Sequence, residues 1–150
     1  MADQKKVVAE IRREITPQLY RQIRREWIAH SIAEDNRNIP GLIDTLTEDC
    51  VYEVVQNGVR WEGHEGAARF YTELLTAFPD IHFDLQNIVI GPQGVWEEAH
   101  VNGTHQADWL HYPATGRHIE FDVNIFFPWD TEKQKFKGER VYVFGLEELG

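Results

Sequence analysis

Two carboxylates, a histidine and a tyrosine are the residues whose chemistry stands out in this sequence. Asp122 and Glu139 are candidate proton carriers, His100 is a candidate partner for a carboxylate, and Tyr52 is a candidate hydrogen-bond donor. A carboxylate in an apolar pocket has its charged form disfavoured, which raises its pKa toward neutrality. An imidazole titrates at about 6.5 and exchanges protons at neutral pH. This set of side chains predicts general acid/base catalysis.

Each of these residues also has an ordinary structural interpretation. Asp122 and His100 are typical of solvated strand faces, because acidic and imidazole side chains are often exposed. Glu139 could form an ion pair with a nearby arginine, and Tyr52 could be a core tyrosine whose hydroxyl reaches the rim. The sequence leaves both interpretations open.

Large aromatic side chains are the candidates for the walls of a binding site. Trp27 and His30 are three residues apart in a helical pattern, so they project side by side toward whatever the helix covers. Trp109 precedes Pro113 in a polar connection that could overhang the mouth of a pocket. Such a site suits a small, flat, apolar molecule, although core packing is the ordinary role of a tryptophan at helical spacing.

Other chemistries have little support in the sequence. The seven histidines show no recognised metal-ligand spacing, so we expect no metal site. Cys50 begins a strand pattern without a neighbouring histidine or lysine, which is typical of a buried small side chain rather than a nucleophile. No glycine-rich phosphate loop or serine-hydrolase motif occurs, and we expect no cofactor.

The first half of the chain has helical patterns. Thr16 and Pro17 form a helix start, since a threonine caps the first turn and proline is tolerated at the first helical position. Apolar residues then recur at helical spacing through Trp27. The predicted helices cover residues 3–15, 17–34, 40–46 and 67–78.

After residue 80 the pattern changes to an alternation with a period of two. The alternation is clearest over 95–102 and 118–127, where apolar and polar residues take turns. Short polar turns join these segments, so consecutive strands should pair antiparallel. The predicted strands cover residues 50–56, 81–90, 95–102, 118–127 and 136–144. Helices followed by a meander of strands predict an α+β fold with helices on one face of a curved sheet.

The composition limits the partners and the location of the protein. The chain has 150 residues and a formal charge of −10, which disfavours nucleic acid and anionic membranes as partners. Its length fits one domain, 1–150, whose first 16 residues we expect to be a helical extension. A single cysteine and no apolar run of membrane-spanning length favour a cytoplasmic location.

Several short motifs together resemble the SnoaL-like polyketide cyclases of the nuclear-transport-factor-2-like superfamily. The motifs are LTEDCVYE at 46–53, GHEG at 63–66, AFPD at 77–80, GTH at 103–105 and PATGR at 113–117. The resemblance extends over about residues 20–144. It implies a cone-shaped α+β fold with a deep pocket, in a subunit that usually dimerises through the outer face of its sheet. A more distant resemblance to limonene-epoxide hydrolases rests on residues 48–52, where Tyr52 matches a tyrosine that holds the nucleophilic water.

The resemblance also implies which residues line the pocket. It places Asp122, Asn124 and Phe126 on the inner face of their strand. Both families carry a catalytic aspartate on the last strand, and that position is Val141 in this chain. The arginine/aspartate pair of the epoxide hydrolases falls on Ala99 and Val101 or, one residue later, on His100 and Asn102. Glu139 shares the parity of Val141 and becomes the alternative carboxylate.

The leading hypothesis is a cofactor-independent acid/base enzyme that acts on a small, apolar, oxygenated molecule. The reaction would be a cyclisation, isomerisation, dehydration or epoxide opening. The alternative is a non-catalytic ligand-binding module, which the loss of the acid at Val141 favours. If the polar face of 118–127 lines the pocket, the apolar face needs another cover, and this predicts a homodimer.

Overall fold

The computed structural model of the protein describes residues 3–149. Three helices, two strands and a fourth helix make up the first half of this range, and four long strands fill most of the second half. The elements are α1 Gln4–Arg12, α2 Pro17–Asp35, α3 Ile39–Ile43, β1 Leu46–Val54, β2 Val59–Glu62, α4 Gly63–Ala77, β3 His82–Gly91, β4 Gly94–Thr104, β5 His118–Asp130, β6 Lys135–Phe144 and a closing 3-10 helix, Leu146–Leu149.

The six described strands form one curved, unclosed sheet in the order β2-β1-β6-β5-β4-β3. Consecutive strands pair antiparallel, as the short turns predict, and β1 pairs with β6 in parallel. The predicted α+β fold with helices on a curved sheet is therefore confirmed. The short strand β2 was not predicted, because its four residues follow a turn too closely to show an alternation of their own.

Helix α2 begins where the sequence predicts. Thr16 caps it by accepting a hydrogen bond from the backbone N–H of Leu19, and Pro17 occupies the first turn. Its buried residues are Ile23, Trp27, His30 and Ala33, which lie on the stripe that faces the sheet. None of the helices within residues 3–149 is long and apolar enough to cross a membrane.

The inner face of the sheet carries the odd-numbered residues of β4 and β5. On β5 the buried residues are Ile119, Phe121, Val123, Ile125, Phe127 and Trp129. The prediction that the even-numbered face of this strand lines the pocket is wrong. Burying five large apolar side chains against the helices is favourable, whereas burying Glu120 and Asp122 would cost desolvation. The apolar face is therefore covered within the subunit, and it no longer argues for a dimer.

The parallel pairing of β1 with β6 places two functional candidates side by side. Tyr52 lies opposite Glu139 in the register, one residue after Val51 lies opposite Gly138. Gly138 has a φ of +115°, and a Cβ there would lie 1.9 Å from the carbonyl oxygen of Val51. Only glycine permits this approach of the two backbones. The glycine thus brings Glu139 to the centre of the inner face.

Candidate active site

Five residues from separate elements meet in the interior between α2, α4 and the sheet. His30 comes from α2, Tyr71 from α4, Tyr52 from β1 and Glu139 from β6, and Thr45 lies just before β1. Each of them is at most 3 % exposed. Buried polar side chains need hydrogen-bond partners, and these five supply one another.

Glu139 is the centre of this network. The Tyr71 hydroxyl donates to Glu139 Oε2 at 2.5 Å, and His30 Nε2 lies 3.1 Å from the same oxygen. The Tyr71 hydroxyl also lies 2.8 Å from that of Tyr52, and His30 Nδ1 lies 2.8 Å from Thr45 Oγ1. Both contacts to Oε2 act on one oxygen of the carboxyl group, which fixes its orientation.

The two tyrosines are held as neutral hydroxyls. Desolvation by burial raises the pKa of Tyr52 and of Tyr71 well above the ordinary value, and the negative charge of Glu139 raises both further. A neutral hydroxyl carries a proton that it can donate. At neutral pH Tyr71 therefore donates its proton to Glu139, and Tyr52 donates to the Tyr71 hydroxyl.

Glu139 lines two small cavities. The polar cavity has a volume of about 40 Å³ and the apolar cavity about 30 Å³, and Glu34, Phe83, Ile125 and Glu139 line both. The polar cavity is also lined by Trp27, His30, Glu97 and Phe127, among others. The apolar cavity is also lined by Phe70, Leu74, Trp109, Phe121, Val141 and Val143, among others. A pocket for a drug-sized ligand has roughly 300–1,000 Å³. In this conformation aromatic side chains fill most of the interior, so the two cavities have room for only a few atoms.

Two further carboxyl groups line the polar cavity. Desolvation by burial raises the pKa of Glu97 to about 8, and the charge of Glu139 adds to the rise. The pKa of the half-buried Glu34 is raised by the same two causes, in the same order. Glu97 is 5 % exposed, and its Oε2 has no hydrogen-bond partner among the described residues. At neutral pH Glu97 is therefore mostly a neutral acid.

The structure brings one group of the sequence-predicted residues to this interior. Glu139, Tyr52 and His30 belong to the network, Trp27 lines the polar cavity, and Val141 and Trp109 line the apolar cavity. Trp109 packs on Phe78 and Phe121, so the loop that carries it closes one end of the apolar cavity. By the resemblance, Val141 occupies the position of the catalytic aspartate of the cyclases. Most of the residues that line the cavity with it are apolar as well.

The other predicted residues lie on the outer face of the sheet. Asp122 and His100 form an exposed pair, with His100 Nδ1 2.8 Å from Asp122 Oδ1. The side chain of Asp122 is 67 % exposed and that of His100 is 40 % exposed. Asn102 and Asn124 have the same parity and point to the same outer face. Phe126 lines an open groove beside α1. The structure does not bring these five residues to Glu139. Successive residues of a strand point to opposite faces of the sheet, and these five have the outward-facing parity.

Sequence reasoning missed four residues of the interior. Tyr71 belonged to the apolar stripe of α4, and a tyrosine at such a position needs a partner for its hydroxyl, which was the available signal. Glu97 occupies an odd-numbered position among apolar residues of β4, which was a second signal. Thr45 and Glu34 had no comparable signal.

Metal ligands and a reactive thiol are not features of the described interior. Among residues 3–149 no group of three or more histidine, cysteine, aspartate or glutamate side chains is arranged to hold a metal ion. Cys50 is a buried free cysteine, and desolvation raises the pKa of its thiol to about 11. A thiol with this pKa is protonated at neutral pH and is a poor nucleophile.

Comparison with protein families matches residues 20–136 to the model of the SnoaL-like polyketide cyclases. The chain belongs to the SnoaL-like polyketide cyclase family. The match includes His30, Tyr52 and Tyr71 and ends before Glu139. Comparison with curated proteins gives no significant match.

Solved structures share the fold of this family member at low sequence identity. A candidate SnoaL-like polyketide cyclase from Jannaschia sp. CCS1 has a TM-score of 0.75 and 16 % identity, over 87 % of this chain and 90 % of that one. AclR, a candidate hydroxylase from Streptomyces galilaeus, has a TM-score of 0.68 and 18 % identity, over 87 % and 97 %. A candidate polyketide cyclase from Xanthomonas campestris pv. campestris has a TM-score of 0.67 and 18 % identity, over 86 % of this chain and 94 % of that one. These likenesses establish the fold of the cyclase family for this chain.

Proposed function

We propose that the protein is a cofactor-independent enzyme that moves protons on a small, apolar carbonyl compound, with Glu139 as the base. The observation that carries this proposal is the position of Glu139, which is buried and lines two cavities, with Tyr71 and His30 on its Oε2. These two contacts leave Oε1 as the oxygen that would face a substrate. Membership of the cyclase family supports a reaction of this class.

The neighbouring carboxyl groups supply the complementary acid. Glu97, with a pKa of about 8, is mostly protonated at neutral pH, because burial and the negative charge of Glu139 disfavour its ionisation. A carboxyl group held neutral beside another carboxyl group is the pattern of an acid and base pair. Glu139 Oε1 takes a proton from the carbon next to the substrate carbonyl, and the C–H electron pair forms a carbon–carbon double bond. The carbonyl oxygen takes a proton from Glu97, and the product of this step is an enol.

The fate of the enol distinguishes the reactions that the fold could catalyse. Return of a proton to a different carbon completes an isomerisation, and attack of the enol carbon on a second carbonyl closes a ring. Both follow from the same first step. Cyclisation is the reaction that the family name indicates, and we place it first.

A substrate of useful size needs more room than the two cavities offer. Trp109 is the side chain best placed to give way, since it lines the apolar cavity from a loop and is 4 % exposed. The next residue, Leu110, has a φ of +55°, and Trp109 and Tyr112 pair across this turn. We therefore propose that the substrate enters where the indole now lies.

Deuterium exchange tests the proposal without knowledge of the natural substrate. Small ketones and β-ketoesters are incubated with the protein in D₂O, and loss of the proton signal next to the carbonyl is followed by NMR. Glu139→Gln should lower the enzyme-dependent exchange rate by roughly 10²–10⁴-fold, the usual contribution of a general base. Asp122→Asn is the matched control on the outer face and should exchange at the wild-type rate.

Three results would count against this assignment. Wild-type exchange in Glu139→Gln would exclude Glu139 as the base, and loss of exchange in Asp122→Asn would return the role to the outer face. If NMR titration shows that a ketone binds, but neither the wild type nor either variant catalyses deuterium exchange, the result would favour the non-catalytic binding module. Epoxides, polyketide-like esters and steroid-like ketones form the wider panel for the natural substrate.

We also propose that the protein is a homodimer, with an aromatic patch on the outer face of β4, β5 and β6 as the contact. Trp96, Phe126 and Tyr142 belong to this patch, and each is only half-buried in the subunit. The Trp96 and Tyr142 rings lie 6.1 Å apart and form a joint apolar surface. Sedimentation equilibrium of wild type and Trp96→Glu tests it, and a wild-type mass of 17.5 kDa at micromolar concentration would contradict it.

A further inference from the structure

Thr45 makes two hydrogen bonds that together determine where its proton lies. Thr45 Oγ1 donates to the carbonyl oxygen of Leu42 at 2.7 Å and lies 2.8 Å from His30 Nδ1. A hydroxyl has one proton, and a backbone carbonyl can only accept. Since the proton of Thr45 goes to Leu42, Oγ1 must accept from His30, and Nδ1 must carry a proton.

We propose that Thr45 is a positioning residue that keeps a proton on Nδ1 of His30, so that Nε2 is the ring nitrogen whose protonation can change and which, when protonated, donates to Glu139 Oε2. The hydrogen bond at one ring nitrogen of a histidine decides the role of the other. Nε2 lies 3.1 Å from Glu139 Oε2 and 3.0 Å from the Tyr71 hydroxyl. With Nδ1 committed to Thr45, Nε2 is the only ring nitrogen that can give a proton to the site or take one from it.

Apart from its hydrogen-bond partners, His30 is surrounded by aromatic rings. It is 3 % exposed, and the rings of Phe127 and Phe136 lie with centroids at 5.5 and 6.3 Å. A ring rotated by half a turn about its Cβ–Cγ bond would present carbon atoms where the nitrogens now lie. The contacts of both ring nitrogens therefore set the orientation of the imidazole, and the bond to Thr45 decides that Nδ1 carries a proton. Its meaning for catalysis rests on the proposed function, whereas the tautomer does not.

Nitrogen NMR of the full-length protein tests the tautomer directly. The protein is labelled with ¹⁵N-histidine, and two-bond proton–nitrogen spectra distinguish protonated from bare ring nitrogens. The signals of His30 are identified by their loss in His30→Gln. We expect a protonated Nδ1 on His30 at every pH at which the protein is folded. A bare Nδ1 with a protonated Nε2 would overturn the proposal.

Three variants separate the hydroxyl of Thr45 from mere packing. Thr45→Val keeps the shape and should abolish the preference for the Nδ1 proton, whereas Thr45→Ser keeps the hydroxyl and should retain it. Thr47→Val removes an equally buried hydroxyl two residues along and should also retain it. An unchanged tautomer in Thr45→Val, or the same loss in Thr47→Val, would overturn the proposal. Should Thr45→Val not fold, the wild-type and Thr45→Ser spectra decide.

The outcome is separable from that of the deuterium-exchange experiment. A protonated Nδ1 together with wild-type exchange in Glu139→Gln would uphold the role of Thr45 and remove Glu139 as the base. A bare Nδ1 together with loss of exchange in Glu139→Gln would uphold Glu139 and remove Thr45.

Discussion

Two histidine–carboxylate pairs lie on opposite faces of the same sheet. On the inner face His30 Nε2 lies 3.1 Å from Glu139 Oε2, and the side chains are 4 % and 3 % exposed. On the outer face His100 Nδ1 lies 2.8 Å from Asp122 Oδ1, and the side chains are 40 % and 67 % exposed. The outer pair is the closer one, yet water surrounds it and screens its charges.

The difference shows that the surroundings of a pair decide its chemistry more than its distance does. The hydrogen bond that the His100 ring donates to Asp122 raises the pKa of His100. On the inner face Glu139 also accepts from Tyr71, and its charge raises the pKa of Glu97 and of Glu34. The inner pair thus belongs to a buried network in which one protonation event affects several groups.

Removing one histidine from each pair gives the largest expected contrast. His30→Ala leaves Glu139 buried without its partner, which should lower the free energy of unfolding by about 3–5 kcal/mol. His100→Ala should leave the urea midpoint close to that of wild type. Equal midpoints for the two variants in equilibrium urea unfolding would contradict the comparison.

Removing one buried and one exposed hydroxyl gives the next largest effect. Tyr71→Phe deletes the donor to Glu139 and a partner of Tyr52, and should cost about 1.5–3 kcal/mol, as for a hydrogen bond to a charged group. Tyr20→Phe deletes a hydroxyl from a tyrosine that is 39 % exposed on α2, and it is the matched control. Chemical denaturation at pH 7 measures both, and a larger loss in Tyr20→Phe would refute the assignment.

The raised pKa of Glu97 predicts a dependence of stability on pH. The unfolded chain loses this proton near the ordinary value of 4.5, whereas the folded protein keeps it until about 8. The folded state thus binds more protons between these values, and the free energy of unfolding should fall by about 1.4 kcal/mol for each pH unit. Below 4.5 the contribution is fully present, and above 8 it has been lost.

Glu97→Gln should remove this part of the pH dependence, and Glu98→Gln on the outer face should retain it. The measurement is urea unfolding of the three proteins at several pH values from 5 to 8. Parallel curves for wild type and Glu97→Gln would show that Glu97 ionises normally in the folded protein.

The smallest effect is expected from Asp122→Asn. The hydrogen bond and charge of Asp122 raise the pKa of His100, so the variant should bring that pKa down toward its ordinary value. Proton NMR titration of the imidazole measures the change. The variant should unfold at the wild-type urea concentration, and a clear loss of stability would mean that the outer pair contributes more than an exposed pair does.

Local sequence patterns predicted the elements well and one strand orientation badly. The cap at Thr16 and Pro17 and the alternation over 118–127 correspond to α2 and β5. The alternation shows that β5 has two unlike faces, and the side for Asp122 was taken from the resemblance to the cyclases. The odd-numbered residues from Ile119 to Phe127 are all apolar, and this pattern predicts the buried face of β5 better than the resemblance did. The helices cover the face whose burial is more favourable.

The site illustrates the same limit at longer range. His30 and Glu139 are 109 positions apart in the chain, and Thr45 and Tyr71 reach them from two further elements. No spacing or periodicity connects residues so far apart, since their contact depends on the packing of helices on the sheet. Glu139 was predicted from its parity with Val141, but its partners were not.

The sequence by itself determined the helices, most strands, the α+β class and the set of residues able to carry protons. These follow from local propensity and from periodicities of 3.6 and two residues, which a short segment contains in full. The tertiary structure decided which face of the sheet is buried, and therefore which histidine–carboxylate pair is shielded from solvent. Burial and the charges of neighbours set the pKa of a carboxyl group, and both arise only when distant segments pack together.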